Sequence, residues 1–290
     1  MKAIFIINPI SGTGRQSSIK FLIKNQINKS IDYQIIETEY AGHGAKIASE
    51  NRDITDVIIA IGGDGTVLEV GSALIGSNTP LGIIPTGSGN GLARHLNIPI
   101  SLEKAIELIN NHKIKTIDTV TVNGTPFLST LGLGFDAHIA KCFADFGTRG
   151  FWSYVKFIFR EYFKYIPKTF DIEIDGTSIQ KKAWIVCIAN SSQYGNGAII
   201  SPQSSIDDGI LDLCTIRRPN LFQTPFFIAR FFAGSLHKST LLDSELGKSF
   251  LIKNNFELFH KDGEPIISNK ELNIQINPLS LKVLIPNTDG

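Results

Sequence analysis

Apolar positions in the first third of the chain gather into short runs: Ala3 to Ile7, Tyr33 to Ile36, Val57 to Ile61 and Leu81 to Ile84. Runs of this length, rich in β-branched side chains, predict strands buried on both faces. Between them the pattern shifts to a helical period, near Gln16 to Asn28, Gly44 to Asn51, Val67 to Ile75, Gly89 to Leu96 and Leu102 to Asn111. Ser101 ahead of Leu102-Glu103-Lys104 reads as an N-cap with an acid in the first turn. Alternating strand and helix predicts an α/β layer with a mostly parallel sheet, whose ligands bind at the carboxyl ends of the strands.

After about Asp118 the texture changes. Thr119 to Val122, Phe127 to Leu131, Phe170 to Ile174, Ala183 to Ala189 and Leu211 to Ile216 read as strands, and Leu281 to Ile285 as one more. Asn123-Gly124 and Asp175-Gly176 are hairpin signals between them. The expectation is a second, mainly antiparallel domain. It contains two helical stretches, Phe151 to Tyr165 and Leu221 to Leu236. The domains are placed at 1–118 and 119–277, with the last segment, about 278–290, a candidate to return to the first.

Composition narrows the classes. A chain of 290 residues with 42% hydrophobic residues can build two cores. A net charge of +1 argues against a nucleic-acid binder, which needs a basic face. Cys142, Cys187 and Cys214 are far apart among apolar neighbours, as buried thiols in a reducing compartment would be. The apolar start stops at Asn8-Pro9, too short for a secretory signal, and no run approaches the roughly 20 residues of a membrane helix. A cytoplasmic protein is expected, with any membrane contact peripheral. Whether it is a homodimer is left open.

Three glycine-rich turns follow three of the first strands: Asn8-Pro9-Ile10-Ser11-Gly12-Thr13-Gly14, Gly62-Gly63-Asp64-Gly65-Thr66 and Pro85-Thr86-Gly87-Ser88-Gly89-Asn90-Gly91. Glycine lets backbone amides approach an anion, and a following helix N-terminus adds positive potential. One such turn is weak evidence. Three on one sheet edge suggest the walls of a polyphosphate site. Asp64 would repel phosphate unless a cation such as magnesium intervenes; it could also cap the helix near Thr66. No Gly-Lys-Ser or Gly-Lys-Thr occurs, and the dinucleotide fingerprint lacks its third glycine at Ser17 and at Leu92.

At these residues the sequence resembles the diacylglycerol kinase catalytic family, which includes sphingosine and ceramide kinases and small bacterial lipid kinases. The matching pieces are Asn8 to Gly12, Gly62 to Thr66 with Glu69, Pro85 to Asn90 with Ala93-Arg94, Gly132-Leu133-Gly134-Phe135-Asp136, Asp207 to Asp212 and Asp262-Gly263-Glu264. The resemblance implies an α/β nucleotide domain, a β-sandwich lipid domain and an active site in the cleft between them, using ATP and Mg2+. It carries nucleotide contacts onto Asn8, Ser11, Gly12, Thr38, Gly63 to Glu69 and Ser88, beside the turn residues Pro9, Gly62, Gly87 and Asn90. A structural magnesium site would fall on Asp208, with backbone oxygens near Ser205 and Ile210. The catalytic base would fall on Glu264, with Asp262 as second candidate. A carboxylate that orients an alcohol and accepts its proton is what phosphoryl transfer requires. Without the resemblance, Asp262 to Glu264 would read as an acidic hairpin turn. Many members carry an acid where this chain has Gly91, which leaves the lipid undefined.

Phe151 to Tyr165 holds eight aromatics, with Lys156, Arg160 and Lys164 on one helical face. It reads either as a core helix with a charged stripe or as a helix resting on an anionic membrane. Leu221 to Leu236 either lines an acyl pocket or is core. The six histidines show no metal spacing. The leading expectation is a kinase acting on diacylglycerol or a related lipid. An NAD kinase, which shares Gly62 to Thr66, and a catalytically silent lipid or nucleotide regulator are the alternatives.

Overall fold

The computed structural model describes residues 1–11, 16–146, 151–253 and 256–287. The first region alternates as its pattern predicts: β1 (Lys2–Ile7), α1 (Gln16–Gln26), β2 (Asp32–Glu37), α2 (His43–Asn51), β3 (Val57–Gly62), α3 (Asp64–Leu74), β4 (Leu81–Pro85), α4 (Gly91–His95) and α5 (Leu102–Asn110). The four strands pair in parallel in the order β2-β1-β3-β4. Every residue of β3 and β4 is buried, as expected for parallel strands covered by helices on both faces. The Ser101 cap forms, its hydroxyl accepting from the Lys104 amide at 3.4 Å.

The second region runs β5 (His112–Val122), β6 (Thr125–Phe127), β7 (Thr130–Gly134), α6 (Phe135–Phe146), α7 (Phe151–Lys164), β8 (Lys168–Ile174), β9 (Thr177–Ala183), β10 (Ile185–Ala189), β11 (Gln193–Gly195) and β12 (Ala198–Ile199). It continues through β13 (Leu211–Ile216), α8 (Thr224–Phe232), β14 (Leu242–Gly247), β15 (Ser249–Lys253), β16 (Leu258–Lys261), β17 (Glu264–Ile267) and β18 (Leu272–Pro286). A six-stranded sheet, β14-β13-β10-β7-β16-β17, pairs antiparallel throughout. It faces the antiparallel part of the other sheet across a core that includes Leu131, Leu133, Phe170, Val186, Phe250 and Ile274. This is a β-sandwich. A further apolar layer, with Phe135, Trp184, Cys214 and Phe227, lies under the helices on its outer face.

Three expected segments differ. Phe127 to Leu131 is broken at Leu128-Ser129, because the amides of Leu128, Ser129 and Thr130 all turn to the Asp262 carboxylate. Ala183 to Ala189 breaks at Trp184 between two strands of different sheets. The strands at Thr119 and Leu281 are the ends of much longer ones. β18 pairs with β15 and β5 over Leu272 to Asn277, then with β5 and, in parallel, β4 from Leu281 onward. One sheet therefore runs from the α/β layer into the sandwich. At the bulge between Asn277 and Leu281 the buried Asp118 accepts the Leu279 amide at 2.7 Å and the Gly209 amide at 2.8 Å. Asp118 thus joins β5, the bulge and the Ser205–Ile210 loop.

Candidate active site

Parallel strands put their following loops at one sheet edge, and side chains tie these loops together. Asn8 Nδ2 donates to Thr66 Oγ1 at 3.0 Å, and the hydroxyls of Ser11 and Thr86 meet at 2.6 Å. The first loop is thus joined to both others. Thr38, at the end of β2, donates its amide to the Ile7 carbonyl beside Asn8. Pro9 is half-buried and Ser88 is exposed at the rim. Gly12 lies outside the described residues. The second and third loops touch backbone to backbone: a Cβ on Gly87 would lie 2.6 Å from Gly63 Cα. Only glycine at 87 allows that approach. The α3 N-cap is Gly63, which offers no side-chain acceptor to the first-turn amides of Gly65 and Thr66. Such amides suit an anion.

Asp64 lies in that turn, but its carboxylate points into the third loop. One oxygen accepts the Asn90 amide at 2.8 Å and the other the Gly91 amide at 2.7 Å. Burial pushes its carboxyl up from the usual range, and these two amides pull it partly back. The clasp also explains Gly89, since a Cβ there would lie 2.6 Å from Asp64 Oδ2. Asn90 is buried in a left-handed conformation, with its Nδ2 on the Gly87 carbonyl at 2.7 Å. Glu69 reaches the N-terminus of α2, after the loop that carries Thr38. Its Oε1 accepts the amides of Gly44 at 2.8 Å and Ala45 at 3.3 Å, capping α2 where Gly42 has no side chain to do so.

The sandwich closes the other side through the β16–β17 turn. Asp262 and Gly263 have φ of 48° and 85°, a backbone that Asp-Gly favours. This turns Asp262 inward, where its carboxylate accepts the Leu128, Ser129 and Thr130 amides at 2.9, 2.8 and 3.0 Å. Burial pushes its carboxyl up, the three amides pull it down, and the charge of nearby Asp64 pushes it up again. Glu264, at the exit of the turn, is exposed, and its carboxylate has no hydrogen bond or ion pair with another described residue. Its Oε1 reaches over α3, lying 2.6 Å from where a Cβ on Gly65 would sit. Asp262 and Glu264, two residues apart, therefore do different things.

A second contact between the halves is the β11–β12 hairpin. The Asn196 amide donates to the Gly89 carbonyl at 3.2 Å, and Ser192 donates its amide to His95 Nδ1 at 3.1 Å. On its other side Tyr194 donates to Asp136 Oδ2, which also meets His260 Nε2 at 3.0 Å. This buried trio fits because Gly132 leaves space; a Cβ there would lie 2.1 Å from Asp136 Oδ2. The sequence reading named Asp136 only as part of a motif and missed Tyr194, His260 and Asp118. An acid inside the apolar strand Ile117 to Val122 was the available signal for Asp118.

For a divalent cation the donors are sparse. No group of three or more His, Cys, Asp or Glu converges among the described residues. Asp208 is exposed, and its Oδ1 accepts the Ile210 amide at 3.0 Å. Ser205 donates to Asp207, which pairs with Lys115 at 3.0 Å. A magnesium ion here would be held by the Asp208 carboxylate, backbone carbonyls and water, a set consistent with that ion's retention of water. The open amides and the three tied loops fit a polyphosphate.

The diacylglycerol kinase catalytic domain profile matches residues 2–122, and the YegS C-terminal NAD kinase beta sandwich-like domain profile matches 129–285. A protein of Synechocystis is 28% identical over 97% of this chain and 69% of its own length. A Yersinia pestis protein named "Probable lipid kinase YegS-like" is 26% identical over 92% of both chains. The crystal structure of a diacylglycerol kinase from Bacillus anthracis superposes with a TM-score of 0.79 at 26% identity, covering 99% of this chain and 97% of that one. The loops at Asn8, Gly62 and Gly87, the Asp262-Gly263-Glu264 turn and the sandwich behind it are thus parts of one known plan, and the chain belongs to the diacylglycerol kinase-like, YegS-type family of lipid kinases.

Proposed function

We propose that the protein transfers the γ-phosphoryl group of ATP to a hydroxyl of diacylglycerol or a related lipid. One observation carries the reading: Glu264 arrives from the sandwich with an unpartnered carboxylate and reaches over Gly65, in the turn that walls the phosphate site. Bound ATP and magnesium supply the electrophilic phosphorus and the cation that offsets phosphate charge. The chain supplies position. The backbone amides of the Gly63 to Thr66 and Gly87 to Gly89 turns hold the phosphates, and the Asp64 clasp on the Asn90 and Gly91 amides keeps the two turns together. Glu264 orients the acceptor hydroxyl and takes its proton as the oxygen–phosphorus bond forms and the bond to the departing diphosphate breaks. Asp262 holds the turn that aims Glu264.

The test is transfer from labelled ATP, with magnesium, to diacylglycerol, sphingoid base, ceramide, phosphatidylglycerol and NAD in separate reactions. Label in a lipid is expected. Label in NAD alone would make the protein an NAD kinase, whose sandwich the second domain resembles. Nucleotide binding without transfer to any acceptor would make it a regulator.

A further inference from the structure

α8 is apolar on two faces. Its inner face seats Phe227, buried, and Phe231, which stacks on Phe227 at 5.8 Å and meets Tyr194 edge-on at 6.0 Å. Its outer face is equally apolar, yet Phe222 in the preceding turn is 87% exposed and Phe226 is 72% exposed. Apolar side chains this large are normally enclosed, and among the described residues none covers Phe222 or Phe226. The end of α7 lies against the segment that leads into α8. Tyr162 donates to the Pro219 carbonyl, Arg218 donates to the Tyr162 carbonyl at 2.7 Å, and Phe163 and Ile166 are exposed.

The charge around this patch has one sign. Between Asp212 and Asp243 the chain carries Arg217, Arg218, Arg230 and Lys238 and no acid. Arg217, Arg218 and Arg230 donate to backbone carbonyls, of Thr240, Tyr162 and Lys238, and among the described residues none of them pairs with a carboxylate. The one acid nearby on α7, Glu161, is buried and already shared among His138, Arg160 and Lys164. Exposed aromatics ringed by uncompensated cations match the headgroup layer of an anionic bilayer, which offers apolar depth and negative charge together.

We propose that the end of α7 and the turn into α8 dock on an anionic lipid bilayer, with Phe222 and Phe226 entering it and Arg217, Arg230 and Lys238 at the headgroups. The docking deepens the lipid-kinase reading and rests on it, since a diacyl acceptor must be drawn from a membrane. The experiment is flotation of the full chain, without nucleotide, on vesicles of phosphatidylcholine alone and of equal parts phosphatidylcholine and phosphatidylglycerol. The protein should float with the anionic vesicles and be released by salt. Phe222→Ser with Phe226→Ser should weaken this partition by at least roughly tenfold. Arg230→Gln with Lys238→Gln should weaken it by roughly fivefold per charge. All four positions are exposed, so thermal unfolding should not change. No flotation of the wild-type chain, or equal flotation of the variants, overturns the proposal. So does a dimer that the phenylalanine substitutions split, because the patch would then face a second copy. Transfer to a water-soluble short-chain acceptor is measured separately on the wild-type chain. Flotation without transfer would retain the docking surface and reject the kinase reading.

Discussion

The α/β half and the sandwich each bring an aspartate to the cleft, and both aspartates turn inward onto backbone amides. Asp64 clasps the Asn90-Gly91 amides of the third loop, and Asp262 clasps three amides between β6 and β7. Both carboxyls are pushed up by burial, and each feels its amides pulling the other way. The halves differ at one residue. The sandwich also presents Glu264, whose carboxylate no other described residue engages, whereas the α/β side presents glycine and open amides. The α/β half is built to hold an anion and the sandwich to supply a base, and each uses its aspartate to keep its loop in place.

The largest effect should come from removing the one open acid. Glu264→Gln keeps shape and deletes the proton acceptor, so kcat should fall by roughly 10²- to 10⁴-fold. It should do so with an unchanged melting temperature, since the side chain is exposed and unpartnered. Near-wild-type turnover would move the base elsewhere and erase the contrast between the halves. Asp262→Ala should do the reverse. It leaves three buried amides without an acceptor, at about 1–3 kcal/mol each before relaxation, so a loss of roughly 3 kcal/mol or more in chemical unfolding is expected. Asp262→Asn keeps one acceptor oxygen and should lie between. If Asp262→Asn is as stable as wild type but inactive, Asp262 and not Glu264 is the base.

Much of this contrast was legible locally. The buried β-branched runs showed the parallel sheet, and Asn123-Gly124 and Asp175-Gly176 both form turns with positive φ at each residue. The three phosphate loops and the acids Asp64, Asp262 and Glu264 stood in plain motifs. Partnership was not legible, because it is set by residues distant in the chain. Asp262 looked like an acid available for chemistry until Leu128 to Thr130 arrived from more than 130 positions away. Glu69 stood in a nucleotide-contact motif, but its capping of α2 above Gly42 could not be seen from the sequence. α6 was not predicted, although its first residues, Phe135-Asp136, belong to a motif that was noted. β5 was read only from Thr119, although Lys113-Ile114-Lys115 alternates as a half-buried strand does. Cys187 and Cys214, far apart in sequence, face each other across β10 and β13 as free thiols.

The contact between the halves can be loosened by acid. His95 of α4 accepts the Ser192 amide from the β11 hairpin, and burial lowers its pKa from 6.5 to about 4. The ring stays neutral in the folded protein where an unfolded chain would take up a proton. Stability is therefore fully present above 6.5, is lost as pH falls from 6.5 to about 4, and does not fall further below that. At about pH 5 the cost is about 2 kcal/mol. His95→Gln keeps an acceptor without a titrating ring, so its unfolding free energy should lack this portion of the pH dependence. Parallel pH profiles for the two proteins would mean that His95 does not stay neutral at the contact.

The smallest effect probes the reach of Glu264 across the cleft. Gly65 is the second residue of α3, and its φ is not left-handed, so alanine there is compatible with the helix. Gly65→Ala should raise stability by up to about 1 kcal/mol through helix propensity. The new Cβ would lie 2.6 Å from Glu264 Oε1, the mobile end of a side chain, which can swing aside. That displacement is a fraction of an ångström to about 1 Å, so kcat should fall by less than the roughly hundredfold that a full 1 Å misplacement costs. Stability and turnover would then move in opposite directions from one methyl group. A Gly65→Ala protein with unchanged kcat would show that the carboxylate does its work from another position, and that the α/β turn and the sandwich base are coupled only through the substrates they hold.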